Sequence, residues 1–317
     1  MGKGKKTTTF ILAILIILGS GVLVYKSTTT NSVEKQIVQE STMTTETPPK
    51  IDPTMDDKEN KKTVEKDTNQ DKHQSTVKPQ KPKEVVSSTY ANEKMGWYYK
   101  PNKEHQLPEV NNRGKESLAK YRGIYHGDIS GKNLYLTFDE GYENGYTSKI
   151  LDTLRDANVK VTFFITGDYL RRNPELVKRM VREGHIVGNH TDNHPSLPTV
   201  SDATLQKEIN SLSDAFTKET GATMQYLRPP MGEYSERTLK LTYEMGYRNV
   251  FWSVAMVDWR PDAGTPEQNK NTVKERLHNG AVILLHAVNK ANADMLGSLI
   301  QECRDEGYRF CGLEEIQ

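Results

Sequence analysis

Apolar and polar positions divide this 317-residue chain into three unequal stretches. A run from Phe10 to Tyr25 is apolar except for Gly19, Ser20 and Gly21, and Lys3, Lys5 and Lys6 precede it. With Thr7 to Thr9 it nearly reaches the ~20 residues that a bilayer-spanning helix requires. From Lys26 to about Ser88 the chain is mostly Thr, Lys, Glu, Gln, Asp and Pro. Such a stretch cannot bury enough surface to offset its ordering entropy. Beyond Tyr90, apolar runs rich in Val, Ile, Phe and Tyr alternate with amphipathic stretches.

That alternation predicts strands over Asn133–Phe138, Lys160–Ile165, His185–Asn189, Met224–Leu227, Arg248–Val254, Ala281–Leu285 and Tyr308–Cys311. Helices are expected over Thr147–Ala157, Pro174–Glu183, Ala203–Thr220, Glu236–Met245 and Ala291–Glu306. Pro174 suits a first helical turn, Ser201 a helix start, and Gly184, Gly246 and Gly307 helix ends. Strands separated by helices argue for a parallel sheet, and seven units for a closed or nearly closed α/β barrel. An open doubly wound sheet is the alternative topology.

The expected organisation is therefore an anchor or signal segment over 1–26, a polar linker over 27–89, a lead-in over 90–130 and a catalytic domain over 131–317. The lysines before the apolar run belong on the cytoplasmic side, which puts the rest of the chain outside. Cleavage near Gly19–Gly21 is the rival reading, and it too exports the chain. A net charge of +1 gives no reason to invoke nucleic acid. The two cysteines, Cys303 and Cys311, are expected as buried free thiols, although export permits a disulfide.

The polar residues gather where the strands end. Asp139 and Glu140 follow the first strand, His190 the third, Arg228 the fourth, and Asp258 with Trp259 the fifth; His286 ends the sixth. In a parallel barrel these are one rim, the one where active sites form. Each motif also has a bland reading. The adjacent carboxylates suit a helix cap, the His-x-x-x-His spacing arises by chance, Arg228 pairs with a surface acid, and His286 is a core histidine. Their shared rim argues for chemistry. Two neighbouring carboxylates also need a cation, a metal or a shared proton to compensate them.

Together, Thr137-Phe-Asp-Glu-Gly141, His190-Thr-Asp-Asn-His194, Arg228-Pro-Pro-Met-Gly232, Val257-Asp-Trp259 and Leu284-Leu-His286 resemble, in order, the five motifs of the polysaccharide deacetylase (NodB homology) family. The resemblance spans about Lys132 to Leu313. Within the family, Phe138–Tyr146, Trp252-Ser-Val-Ala and the Trp97-Tyr-Tyr lead-in are similar to de-N-acetylases of muramic δ-lactam synthesis. Those enzymes act on peptide-stripped N-acetylmuramic acid in spore-cortex peptidoglycan. The resemblance implies a distorted (β/α) barrel, glycan strands as substrate and an upstream amidase as functional partner.

It also implies roles for individual residues. Asp139 would be the general base and Arg228 its orienting cation. Glu140, His190 and His194 would hold a divalent metal, zinc by donor type. The Met231 backbone N–H would help stabilise the oxyanion. His286 would be the general acid, held by Asp258, and Trp259 with Leu284 would receive the acetyl methyl. Tyr142, Tyr146, Tyr234 and Trp259 are candidate sugar-stacking rings. Two departures stand out: Glu140 occupies the position of an aspartate ligand, and Ala255 replaces a further carboxylate. Rival readings are a deacetylase acting on N-acetylglucosamine in peptidoglycan or chitin, and a non-catalytic glycan-binding module.

Overall fold

The computed structural model describes residues 91–260 and 262–317. The expected anchor over 1–26 and linker over 27–89 lie outside the described residues. The lead-in carries strands β1 (Met95–Gly96), β2 (Tyr99–Lys100) and β3 (Glu109–Val110) and helix α1 (Asn112–Lys120). There follow β4 (Asn133–Glu140), α2 (Thr147–Asp156), β5 (Thr162–Ile165), α3 (Gly167–Arg172), α4 (Pro174–Arg182), β6 (Ile186–Asn189) and α5 (Asp202–Thr220). The chain continues through β7 (Tyr226–Leu227), β8 (Glu233–Tyr234), α6 (Glu236–Glu244), β9 (Arg248–Asn249), α7 (Pro266–Arg276), β10 (Ala281–His286), α8 (Lys290–Asp305) and β11 (Arg309–Phe310).

The main sheet runs β10-β4-β5-β6-β7-β9, all parallel, and β11 pairs with the start of β4. It curls into a distorted barrel. Past β9, the amides of Ser253 and Val254 donate to Val282 O, and Leu284 N donates to Val254 O. The sequence pattern predicts one strand over 248–254, and the structure breaks it after Asn249. The cause is a change of partner: Val250 N bonds Leu227 O, Phe251 N bonds Ile124 O of the lead-in, and Ser253 reaches β10. Met224–Leu227 likewise shortens to two strand residues.

Both faces of β4 are covered, so nearly all its residues are buried, as a parallel barrel strand requires. Their parity decides what each can do, because successive side chains point to opposite faces. Leu134, Leu136 and Phe138 join the large core beneath the helices. Tyr135 packs inside the barrel with Phe164, Tyr226 and Val282. Thr137 and Asp139 share that inner face. Glu140 shares the outer one.

The expected helix signals hold. Ser201 accepts from Thr204 N at the start of α5, Pro174 opens α4, and Gly184, Gly246 and Gly307 have φ of 78°, 92° and 86°. Helix α7 carries little apolar periodicity and α3 is only six residues long; the sequence reading predicts neither of them, nor α1. The lead-in is part of the barrel wall: β1 pairs with β8, and Trp97 packs 5.1 Å from Tyr125 and 4.8 Å from Phe251 by ring centroids. Cys303 and Cys311 are buried free thiols, and burial pushes their pKa values up to about 12 and about 11.

Candidate active site

A cavity of about 660 Å³ opens at the C-terminal rim, lined by Asp139, His190, His194, Met231, Trp259, Leu284 and His286 among others. Asp139 ends β4 on the inner face, and Arg228 Nη1 donates to its Oδ1 at 2.6 Å. Arg228 is itself buried and seated on several partners. Its other donors reach Thr137 Oγ1 at 2.9 Å and Val250 O at 3.2 Å, and its guanidinium lies 4.2 Å from the Phe164 ring centre. Gly188 makes room for that ring, since a Cβ there would come within 2.5 Å of it. Burial alone would raise the Asp139 carboxyl. Arg228, with His190 and His286, outweighs burial and holds it below the ordinary carboxylate value.

His190 and His194 sit in a tight loop after β6, not on a helix. Thr191 and His194 both have left-handed backbones, with φ of 67° and 58°. Asn189 Oδ1 accepts from Thr191 N, and Thr191 Oγ1 accepts from His194 N, which fixes the turn. His190 Nδ1 lies 2.7 Å from Arg228 O. A carbonyl only accepts, so Nδ1 carries the proton and Nε2 keeps its lone pair. Burial lowers both histidines, His194 to about 3, so both are neutral. Their Nε2 atoms are 3.2 Å apart. Two neutral imidazoles presented in this way suit a shared divalent cation. The carboxylate beside them is Asp139, whose Oδ2 is 3.6 Å from His190 Nε2.

The expected third ligand needs correcting. Glu140 faces the helices, is fully buried and does not line the cavity. Neither of its carboxylate oxygens has a hydrogen-bond partner among the described residues. Burial, then Glu143 and Asp139, raise its carboxyl well above the ordinary value; nearby Thr147 opposes this weakly, its hydroxyl being donated to Glu143. Among the described residues no three His, Cys, Asp or Glu side chains form a metal-holding group. Of the three expected donors, the structure brings together the two histidines.

On the neighbouring strand, His286 ends β10, and its Cα pairs with that of Asp139. Asp258 accepts from His286 Nδ1 at 2.7 Å and from the His286 backbone N at 2.8 Å. Asn292 on α8 donates to Asp258 Oδ2 at 2.5 Å and to His286 O at 3.0 Å, a support with no signal in the sequence. Burial would lower His286, but the Asp258 carboxylate prevails and raises it. The Trp259 ring lies 5.1 Å from the imidazole.

Met231 lines the cavity in a left-handed turn, φ 58°, with its side chain half exposed. Such a backbone in a non-glycine residue is strained, and strain of this kind gathers at functional sites. Tyr142 also lines the cavity. Two other expected rings do not. Tyr146 packs against the core at the start of α2, and Tyr234 is fully buried beside Trp97 and Phe251. The structure adds Tyr98, exposed between buried Trp97 and Tyr99, together with Trp252, Asp168, Arg171 and Asp192. Tyr98, Trp252 and Asp192 fall within motifs quoted from the sequence, although no site role follows for them there; Asp168 and Arg171 have no such signal.

A barrel rim that pairs a cation-held carboxylate with a carboxylate-held imidazole is the site of a hydrolase working by general acid–base chemistry. The chain belongs to the polysaccharide deacetylase family, whose model matches residues 126–250. It is 41% identical to the peptidoglycan-N-acetylmuramic acid deacetylase PdaA of Bacillus subtilis, over 71% of this chain and 86% of that one. The solved structure of that carbohydrate esterase of family 4 superposes with a TM-score of 0.70, covering 71% of this chain and 97% of the other at 40% identity. A peptidoglycan-N-acetylglucosamine deacetylase of Bacillus cereus is 34% identical over 63% of this chain and 73% of its own length.

Proposed function

We propose that this chain is an exported peptidoglycan deacetylase that removes the N-acetyl group of peptide-stripped N-acetylmuramic acid. The freed amine then closes on the lactyl carboxyl as the muramic δ-lactam of spore cortex. The observation that carries the chemistry is the neighbouring pair Asp139 and His286, which line one cavity with the first biased toward its ionised form and the second toward its protonated form. Likeness to a muramic deacetylase supports the substrate. The apolar run Phe10–Tyr25 supports a single-pass membrane anchor with the catalytic domain outside, or secretion if it is cleaved.

In this reading water attacks the acetyl carbon while Asp139 takes its proton. The C–N bond breaks as His286 delivers a proton to the departing amine, leaving acetate and a free amino sugar. Asp258 keeps His286 charged and oriented. Arg228 keeps Asp139 ionised. The Met231 backbone N–H faces the growing oxyanion. Trp259 and Leu284 hold the methyl, and Tyr142 stacks on a sugar ring. A divalent metal, zinc by donor type, held by His190 and His194, would polarise the carbonyl and acidify the water.

The N-acetylglucosamine reading is supported by the Bacillus cereus relative. Mass spectrometry of peptide-free glycan strands and of chitin oligomers after incubation with the protein separates the two. Acetyl loss from muramic residues is the expected result. Loss confined to glucosamine residues would overturn it. A binding module without catalysis would release no acetate at all.

A further inference from the structure

The cavity wall carries one cation that the acid–base chemistry leaves unused. Arg171 is the only Lys or Arg side chain lining the cavity among the described residues. It lies in the last turn of α3, its side chain is 53% exposed, and its Nη1 donates to Asp192 Oδ1 at 2.5 Å. Asp192 lies in the loop between His190 and His194, and the guanidinium lines the same cavity as Asp139 and His286. The seat is built for it. The Gly167 amide donates to the carbonyls of Thr191 and Asp192. A Cβ at Gly167 would come within 1.7 Å of Asp192 Oδ1 and 2.8 Å of Arg171 Nη1. The other carboxylate nearby, Asp168, is engaged through both oxygens by Arg172. A guanidinium offers five N–H donors in a fork that matches a carboxylate, and Asp192 engages one of its nitrogens.

Muramic acid differs from glucosamine by a lactyl ether on the carbon next to the one bearing the acetamide. With the acetamide at Asp139 and His286, the lactyl carboxyl therefore lies within a sugar ring's width of the reacting centre, in the cavity that Arg171 also lines. Stripped of peptide, it is an anion. With peptide attached, it is a neutral, bulky amide. We propose that Arg171 binds the free lactyl carboxylate and thereby makes deacetylation follow peptide removal. The proposal rests on the muramic reading above. It makes Asp192 a competitor that tunes how strongly Arg171 selects.

The test measures acetate release by the full-length chain on three substrates: peptide-free glycan strands, the same strands with the lactyl carboxyl converted to a methylamide, and N-acetylglucosamine oligomers. Removing a charge-assisted contact typically costs about tenfold or more. Arg171→Gln should lower kcat/KM on the carboxylate strands by about that factor, chiefly through KM, as loss of ground-state binding does. On the methylamide strands the fall should be several times smaller. Arg171→Lys should recover part of the preference, and Asp192→Asn should increase it. A preference for carboxylate over methylamide that is the same in wild type and Arg171→Gln overturns the proposal and leaves the muramic reading standing. Wild-type activity on the oligomers alone overturns both.

Discussion

Arg228 meets Asp139 at 2.6 Å where its own side chain has no access to solvent. A guanidinium buried so completely is costly unless its donors are met. Here Thr137, Val250 and Phe251 meet them alongside the carboxylate. The pair therefore fixes the base in position as well as in charge, and neither partner can be deleted without stranding the other.

Asp139→Asn keeps the shape and removes the base. Activity should fall by about 10²–10⁴-fold, the usual worth of a positioned proton acceptor, with the fold intact by circular dichroism. Arg228→Ala should destabilise the protein by about 3–5 kcal/mol, the cost of breaking a buried pair, and more than Asp139→Asn, whose amide oxygen still accepts from the guanidinium. Urea denaturation reads the difference. An Asn variant that still turns over freely would remove Asp139 from the reaction.

The pH profile follows from two opposed shifts. Asp139, held below its ordinary 3.8, is ionised at all but strongly acidic pH, so the base is ready there. His286, held above its ordinary 6.5, keeps its proton further into the alkaline range and loses it as pH rises through its own pKa. A bell-shaped kcat/KM profile is expected, with its alkaline limb above 6.5. Asp258→Asn removes the charge that supports the imidazolium and should bring that limb to lower pH. An alkaline limb that stays put in Asp258→Asn would assign it to another group.

Much of the rim was legible because a parallel barrel puts every strand end at one place, so Asp139, His190, Arg228, Asp258 and His286 could be grouped before their geometry was known. What was not legible depends on direction. Asp139 and Glu140 are neighbours with the same chemistry, and only the outward parity of Glu140 separates them. Tyr142 and Tyr146 differ in the same way, because the turn at Gly145 (φ 85°) sends the second ring to the core. Tyr98 and Arg171 come from short segments that the pattern does not predict, whereas Asn292 sits in a helix that it does predict; contacts distant in sequence bring all three to the site.

Metal binding should depend on the two histidines and not on Glu140. Metal content by mass spectrometry after dialysis against zinc should be retained in Glu140→Gln and fall about tenfold or more in His190→Ala and His194→Ala, which remove half of the imidazole donors. Chelation followed by readdition of zinc should abolish and restore wild-type activity. If Glu140→Gln lost its zinc while His194→Ala kept it, the ligand assignment would be reversed.

Glu140 also makes the protein's stability depend on pH in an unusual direction. In the unfolded chain its carboxyl ionises near 4.5, whereas in the fold burial raises that point well above. Between the two values the folded state holds a proton that the unfolded state has released, so stability falls as pH rises, by up to about 1.4 kcal/mol per pH unit. Gln cannot ionise, so Glu140→Gln removes this slope. In metal-free protein its Tm should match wild type near pH 4 and exceed it at pH 8, at about 2–4 °C for each kcal/mol. A carboxylate that was ionised in the fold and needed there would behave oppositely: the Gln variant would melt lower at pH 8. Thermal melts at the two pH values thus decide whether the second carboxylate of the motif is a neutral part of the core.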